Sequence, residues 1–176
     1  MNPDTTVRLA RPGDAAAIAH IYNQGIEERI ATFETESRTA AQMTEWLAEK
    51  GDRYPVIVAE RDGRVVAWAA ASSYRPRSCY DGVAEFSVYA DRAARGSGAA
   101  RAVMHGLINA CEAAGYWKLL SRIFPENTAS RGLCRALGFR EVGIYRRHAK
   151  LDGIWRDTVI VERLLGEARE HSDVGS

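Results

Sequence analysis

Three groups of residues in this 176-residue chain have types and spacings that suit chemistry. The first is Arg95-Gly96-Ser97-Gly98-Ala99-Ala100, which stands directly before apolar residues at Ala102, Val103, Leu107 and Ile108. That later spacing is helical, whereas glycine is a poor helix interior because it loses the most backbone freedom on ordering. Small residues at a helix start leave N–H groups free to approach an anion, which the positive end of the helix dipole also attracts. Arg95 adds a formal charge. The chemical reading is a phosphate cradle; the plainer one is a turn or close packing. The second group is Glu85 in V-A-E-F-S-V-Y-A. A carboxylate in a cleft can take a proton from an ammonium group, directly or through a water. On a strand it can equally be a residue facing solvent. The third is Arg75 and Arg77 in Y-R-P-R-S-C-Y-D. Residues two apart in an extended segment project to one side, and two guanidinium forks suit a ligand with two acidic groups. Loop arginines can also be simply solvated.

Elements that could position these residues follow from pattern. Thr6 to Leu9 reads as a strand, and Asp14 as the N-cap of a helix with Ile18, Ile21, Tyr22 and Ile26 on its apolar face. T-A-A-Q from Thr39 fits a capping box for a second helix through Met43, Trp46 and Leu47 to Lys50. Pro55 to Glu60 and Arg64 to Ser72 are strands joined by R-D-G, a hairpin signal. Phe86 to Ala90 continues a strand into the glycine-rich stretch, and a helix from Gly98 to Ala114 stops at Gly115. Lys118 to Ile123 reads as a strand, Asn127 to Leu137 as a helix, and Glu141 to His148 and Trp155 to Leu164 as strands around L-D-G. The order predicts an α/β fold, a mixed central sheet of about six to seven strands with helices on both faces. One domain is expected over residues 1–166, with a polar, frayed tail over 167–176.

Composition narrows the function classes. Twenty-four basic and 23 acidic residues give a net charge of +1, so nothing global points to nucleic acid or an anionic membrane. The longest apolar run, Val65 to Ala71, is too short to span a bilayer. Residues 1–11 lack the apolar core of a signal peptide, which makes the cytoplasm the expected location. Cys79, Cys111 and Cys134 are odd in number and far apart, so they read as reduced thiols and not as a disulfide framework or zinc site. His20, His105, His148 and His171 have no paired ligand at metal spacing and are assigned neither metal nor base.

The strand around Glu85 followed by R-G-S-G-A-A resembles the acetyl-CoA site of the GNAT N-acetyltransferases. Arg95, Gly98 and Ala100 fill the fixed positions of that superfamily's pyrophosphate signature, and P-E-N-T-A-S-R-G-L-C-R-A-L-G-F resembles its next segment. I-A-T-F-E-T-E-S-R-T, Y-P-V-I-V-A-E-R-D-G-R-V-V-A, Y-R-P-R-S-C-Y-D and H-A-K-L-D-G-I-W-R-D resemble the phosphinothricin acetyltransferases, especially relatives that acetylate arsinothricin. The resemblance runs from about Val7 to Leu165.

It implies a GNAT fold and acetyl transfer from acetyl-CoA, without a metal, to the α-amino group of a small acidic amino acid, conferring resistance. Glu85 would be the catalytic base. Arg95, Gly96, Ser97, Gly98, Ala99 and Ala100 would hold the pyrophosphate, and Asn127 the pantetheine arm, unless it is an ordinary N-cap. Phe86, Ser87 and Val88 would offer backbone groups to the pantetheine and the thioester carbonyl. Arg75, Arg77 and Tyr80 would bind substrate under a lid around Phe33, although Tyr80 could instead pack beneath its loop. Many GNAT enzymes have a tyrosine as general acid where this chain has Cys134, which reads as an inert core residue. Trp155 reads as packing or a dimer contact, since the family is commonly homodimeric. The alternatives are acetylation of another amine, such as methionine sulfoximine, methionine sulfone or a protein N-terminus, or a silent acetyl-CoA-binding module.

Overall fold

The computed structural model describes residues 5–170. Its strands are β1 (Thr5–Leu9), β2 (Val56–Arg61), β3 (Arg64–Ser73), β4 (Val83–Ala90), β5 (Lys118–Ile123), β6 (Arg140–Leu151) and β7 (Ile154–Leu164). They form one seven-stranded sheet in the order β1-β2-β3-β4-β5-β7-β6. All neighbours are antiparallel except β4 and β5, which pair in parallel. A parallel pair needs a crossover, and α3 (Ala99–Ala113) supplies it.

Helices cover both faces. On one, α1 (Ala15–Glu28) and α2 (Ala40–Lys50) bury Ile18, Ile21 and Met43 against Val58, Trp68 and Ala70. On the other, α3 sets Val103, Met104 and Leu107 against Ala69, Ala84 and Phe86. Residue 106 in α3 has to be small, since a Cβ there would come within 2.8 Å of Val7 and 2.9 Å of Ile57. The last helices are α4 (Thr128–Ala136) and the short α5 (Glu167–Glu170). The segment expected to fray therefore begins with a helical turn, and residues 171–176 lie outside the described residues.

Local signals account for most boundaries. Thr39 caps α2 through Oγ1, which accepts from the Gln42 N–H, and Gln42 Oε1 accepts from the Thr39 N–H in return. The R-D-G and L-D-G turns put Asp62, Gly63, Asp152 and Gly153 at positive φ, as a tight two-residue hairpin loop requires. One expectation is corrected. Asp14 precedes α1 but does not cap it with its side chain. Its carboxylate takes the Arg8 guanidinium at 2.8 and 2.9 Å and the Arg11 N–H at 2.7 Å. The hydrogen bonds from Arg8 hold that carboxyl below the usual range. A nearly buried carboxylate gains more from a bidentate guanidinium than from one helix N–H.

Candidate active site

The site begins where two strands part. β4 and β5 pair only over Val83–Lys118, Ala84–Leu119 and Glu85–Leu120, while β3 follows β4 as far as Ala90. Beyond Glu85 the β5-facing edge of β4 is therefore unpaired, and the Phe86 carbonyl accepts from Ser121 Oγ at 2.9 Å. Two cavities occupy the split, of about 580 Å³ and 410 Å³. Both fall in the size range of ordinary small-molecule sites.

The smaller cavity is the cradle side. Arg95, Gly96, Gly98, Ala99, Ala100 and Asn127 line it, together with Val88. Gly98 is the N-cap of α3 at φ +85°, and Gly96 lies at φ +75°. A Cβ at either position would meet nothing within 4 Å, so close packing does not explain these glycines. The backbone angle and the open space do. The first helical N–H groups after Gly98 have no carbonyl one turn earlier to bond, so they are available to an anion. Ser97 departs from the expected set, because its N–H and hydroxyl both go to the Ala94 carbonyl and Arg61 Nη2 reaches its oxygen at 3.3 Å. It does not line the cavity. Arg95 donates to Glu28 Oε1 at 2.7 Å, and Arg92 reaches the same oxygen at 3.0 Å. Glu28 itself lines the cavity, so an arriving phosphate would compete with it for Arg95.

The larger cavity is the acceptor side. Glu85, Phe86, Ser87, Val88, Phe33 and Asn127 line it with Arg122, His148 and Cys134. Alternation along β4 turns Glu85 and Ser87 toward the α1 and α2 face, while Phe86 buries its ring against Phe139 on the other. Arg122 Nη2 donates to Glu85 Oε1 at 2.8 Å and to Oε2 at 2.9 Å. On the far side of Glu85, its cross-strand partner Ser72 accepts from Lys50 Nζ at 2.6 Å. Burial pushes the Lys50 ammonium down to about 8. Phe33 stands edge-on to Phe124, 4.8 Å between ring centres, and closes one side of the cavity. Val88, Tyr89, Asn127 and Ser130 line both cavities, so the two meet there. Asn127 also caps α4, its Oδ1 accepting from the Ser130 N–H at 3.1 Å.

Arg75, Arg77 and Tyr80 are not brought to this place. None of them lines either cavity. They lie on the connection after β3, where Arg75 covers the Tyr74 ring at 5.2 Å and Tyr80 meets the same ring edge-on at 5.3 Å. Tyr80 thus packs beneath its loop. Sequence reading missed Arg122 and Glu28, which no local motif marks, and left His148 without a role.

Cys134 sits at the cavity wall but is buried, and that burial pushes its thiol up to about 12. Cys111 is buried and likewise pushed up to about 12, while Cys79 is exposed. The thiolate is the reactive form, and at pH 8 neither buried thiol carries it. Iodoacetamide on the folded protein at pH 8 is expected to label Cys79 alone, with the other two reacting after denaturation. Rapid native labelling of Cys134, read by peptide mass, would restore it as a candidate acid.

The sequence pattern of the acetyltransferase (GNAT) domain matches residues 7–160. A phosphinothricin N-acetyltransferase of Alcaligenes faecalis is 37% identical over 162 residues, 91% of this chain and 82% of that protein. An L-methionine sulfoximine/L-methionine sulfone acetyltransferase of Salmonella typhimurium is 29% identical over 167 residues, covering 92% and 95%. Among solved structures, a phosphinothricin acetyltransferase of the GNAT superfamily from Sinorhizobium meliloti, in complex with acetyl-CoA, superposes with a TM-score of 0.88. It is 31% identical, with 98% of this chain and 95% of that one covered. The strand split, the glycine-bearing helix start beside it and a match over nearly the whole chain lead to one conclusion. The chain belongs to the GNAT acetyltransferase family and is an acetyl-CoA-dependent N-acetyltransferase.

Proposed function

We propose that the chain acetylates the α-amino group of a small acidic amino acid of the phosphinothricin type, arsinothricin included, and so confers resistance to it. The observation that carries this reading is the pairing of Glu85 with Arg122 in the larger cavity, beside its junction with the cofactor groove. Glu85 takes the ammonium proton. Arg95, Gly96, Gly98, Ala99 and Ala100 hold the pyrophosphate, with Asn127 and the β4 edge on the pantetheine arm. Phe33 closes over the acceptor. Arg75 and Arg77 leave β3 just beyond Ser72, the cross-strand partner of Glu85. A direct clamp on substrate by these two requires their loop to fold over the cavity.

A homodimer in the cytoplasm belongs to the same proposal. Val142, Ile144 and Tyr145 on β6, with Ile154 and Trp155 on β7, are exposed apolar side chains on the last hairpin. Exposed apolar side chains along this hairpin support a contact with a second copy there. All three cysteines are free, and among the described residues no helix is long and apolar enough to cross a membrane.

The test is thiol release from acetyl-CoA with phosphinothricin, arsinothricin, methionine sulfoximine, methionine sulfone and an N-terminal peptide as acceptors. The two acidic analogues are expected to give the highest kcat/KM. Preference for the peptide or for the sulfone would move the assignment to another amine. Acetyl-CoA binding without turnover on any acceptor would make the protein a silent binding module.

A further inference from the structure

Arg122 is the only lysine or arginine among the described residues that line the larger cavity. Glu34, which also lines it, is paired with Arg38 at 3.1 Å. The geometry of Arg122 is unusual for a structural ion pair. A single nitrogen, Nη2, serves both Glu85 oxygens, and among the described residues Nε and Nη1 have no protein partner. Its side chain is 42% exposed, against 27% for Glu85. The guanidinium of this cavity-lining residue is therefore half-committed, with donors left over and solvent to ease its movement.

This arrangement ties the base to the group best able to bind an acidic acceptor. Both oxygens of Glu85 are engaged by the guanidinium, so an ammonium group reaching them has to displace that contact. An acidic group entering the cavity competes for the same cation, and the planar fork of arginine matches carboxylate-like oxyanions well. A neutral amine brings no such competitor. We infer that Arg122 is a substrate-operated latch. It holds Glu85 in the free enzyme and passes to an acidic group of the acceptor on binding, which frees Glu85 to take the ammonium proton. In that transfer an N–H bond of the ammonium breaks and an O–H bond forms on Glu85. The acceptor becomes the neutral amine, and Glu85 later returns the proton to water. The inference rests on the proposed role of Glu85 and on an acidic acceptor. It adds that Arg122 sets the specificity by controlling the base.

The experiment is steady-state acetylation by the full chain of phosphinothricin and of methioninamide, an amine without an acidic group. The parent, Arg122→Ala and Arg122→Lys are compared, with acetyl-CoA binding measured calorimetrically to establish that each variant is folded. For phosphinothricin, Arg122→Ala should raise KM roughly ten- to a hundredfold, the loss expected for charge-assisted hydrogen bonds, and Arg122→Lys should recover part of it. For methioninamide, Arg122→Ala should raise kcat severalfold, because the base is no longer held. Opposite responses of the two acceptors support the latch. An equal fall on both would make Arg122 a support for Glu85 only. An unchanged KM for phosphinothricin, or a methioninamide rate that does not rise, also overturns the inference while leaving the proposed function standing. If the parent binds acetyl-CoA but acetylates no acidic amino acid, the proposed function fails and the latch with it.

Discussion

Glu85→Gln is expected to reduce turnover on an acidic amino acid by ~10²–10⁴-fold, the usual contribution of a general base, while leaving acetyl-CoA binding intact. The amide keeps the size of the carboxylate and can still accept a hydrogen bond from Arg122, so the strand and the cavity should hold their shape. It cannot take a proton at neutral pH. An α-ammonium group titrates near ~8–10, so most of the acceptor arrives protonated at pH 7 and the loss should be largest there. As pH rises the free amine becomes abundant and the deficit should shrink, because deprotonation no longer depends on the enzyme. The measurement is kcat and kcat/KM against pH for parent and variant. Parent-like turnover at pH 7 would reduce Glu85 to an ordinary strand residue with an ion-pair partner.

Gly98→Val should weaken acetyl-CoA binding by about a hundredfold. Two causes act together. Gly98 holds φ +85° at the N-cap of α3, a conformation that costs ~1–3 kcal/mol for a residue with a side chain and more for a β-branched one. The added carbons would also enter space that is empty of protein and belongs to the groove wall. Losing one or two charge-assisted hydrogen bonds from the helix start, at ~1.5–3 kcal/mol each, accounts for the size of the effect. Gly98→Ala separates the causes, since it imposes backbone strain with less obstruction. The valine variant should therefore lose more affinity than the alanine variant, with the thermal stability of each measured to count the larger strain of valine separately. Unchanged affinity in a folded Gly98→Val protein, by calorimetric titration, would remove the phosphate cradle from the account.

Much of the site was legible because its parts are local. The glycines before an amphipathic helix announce both a positive-φ entry and an exposed helix terminus. Asn127 was visible as a helix start, and the structure gives it that cap together with a place on both cavities. Asp14 shows where such reading fails. Its position before α1 fits an N-cap, yet Arg8 on the neighbouring strand claims the carboxylate.

The sequence by itself determined the element order, the R-D-G and L-D-G hairpins, the capped start of α2 and the family. Each depends on residues a few positions apart, or on motifs whose order survives without knowledge of contacts. Tertiary structure alone decided what the charges do. Glu85 and Arg122 are 37 residues apart, and Arg95 and Glu28 are 67 apart. Alternation along a strand says which face a side chain takes, but not which strand lies beside it. The crossover through α3 puts β5 next to β4, and their register sets Arg122 two residues past Leu120, the partner of Glu85, on the same face. The same limit applies to Arg75 and Arg77. Their spacing made a plausible clamp, yet the path of the chain after β3 carries them onto an exposed loop, away from both cavities.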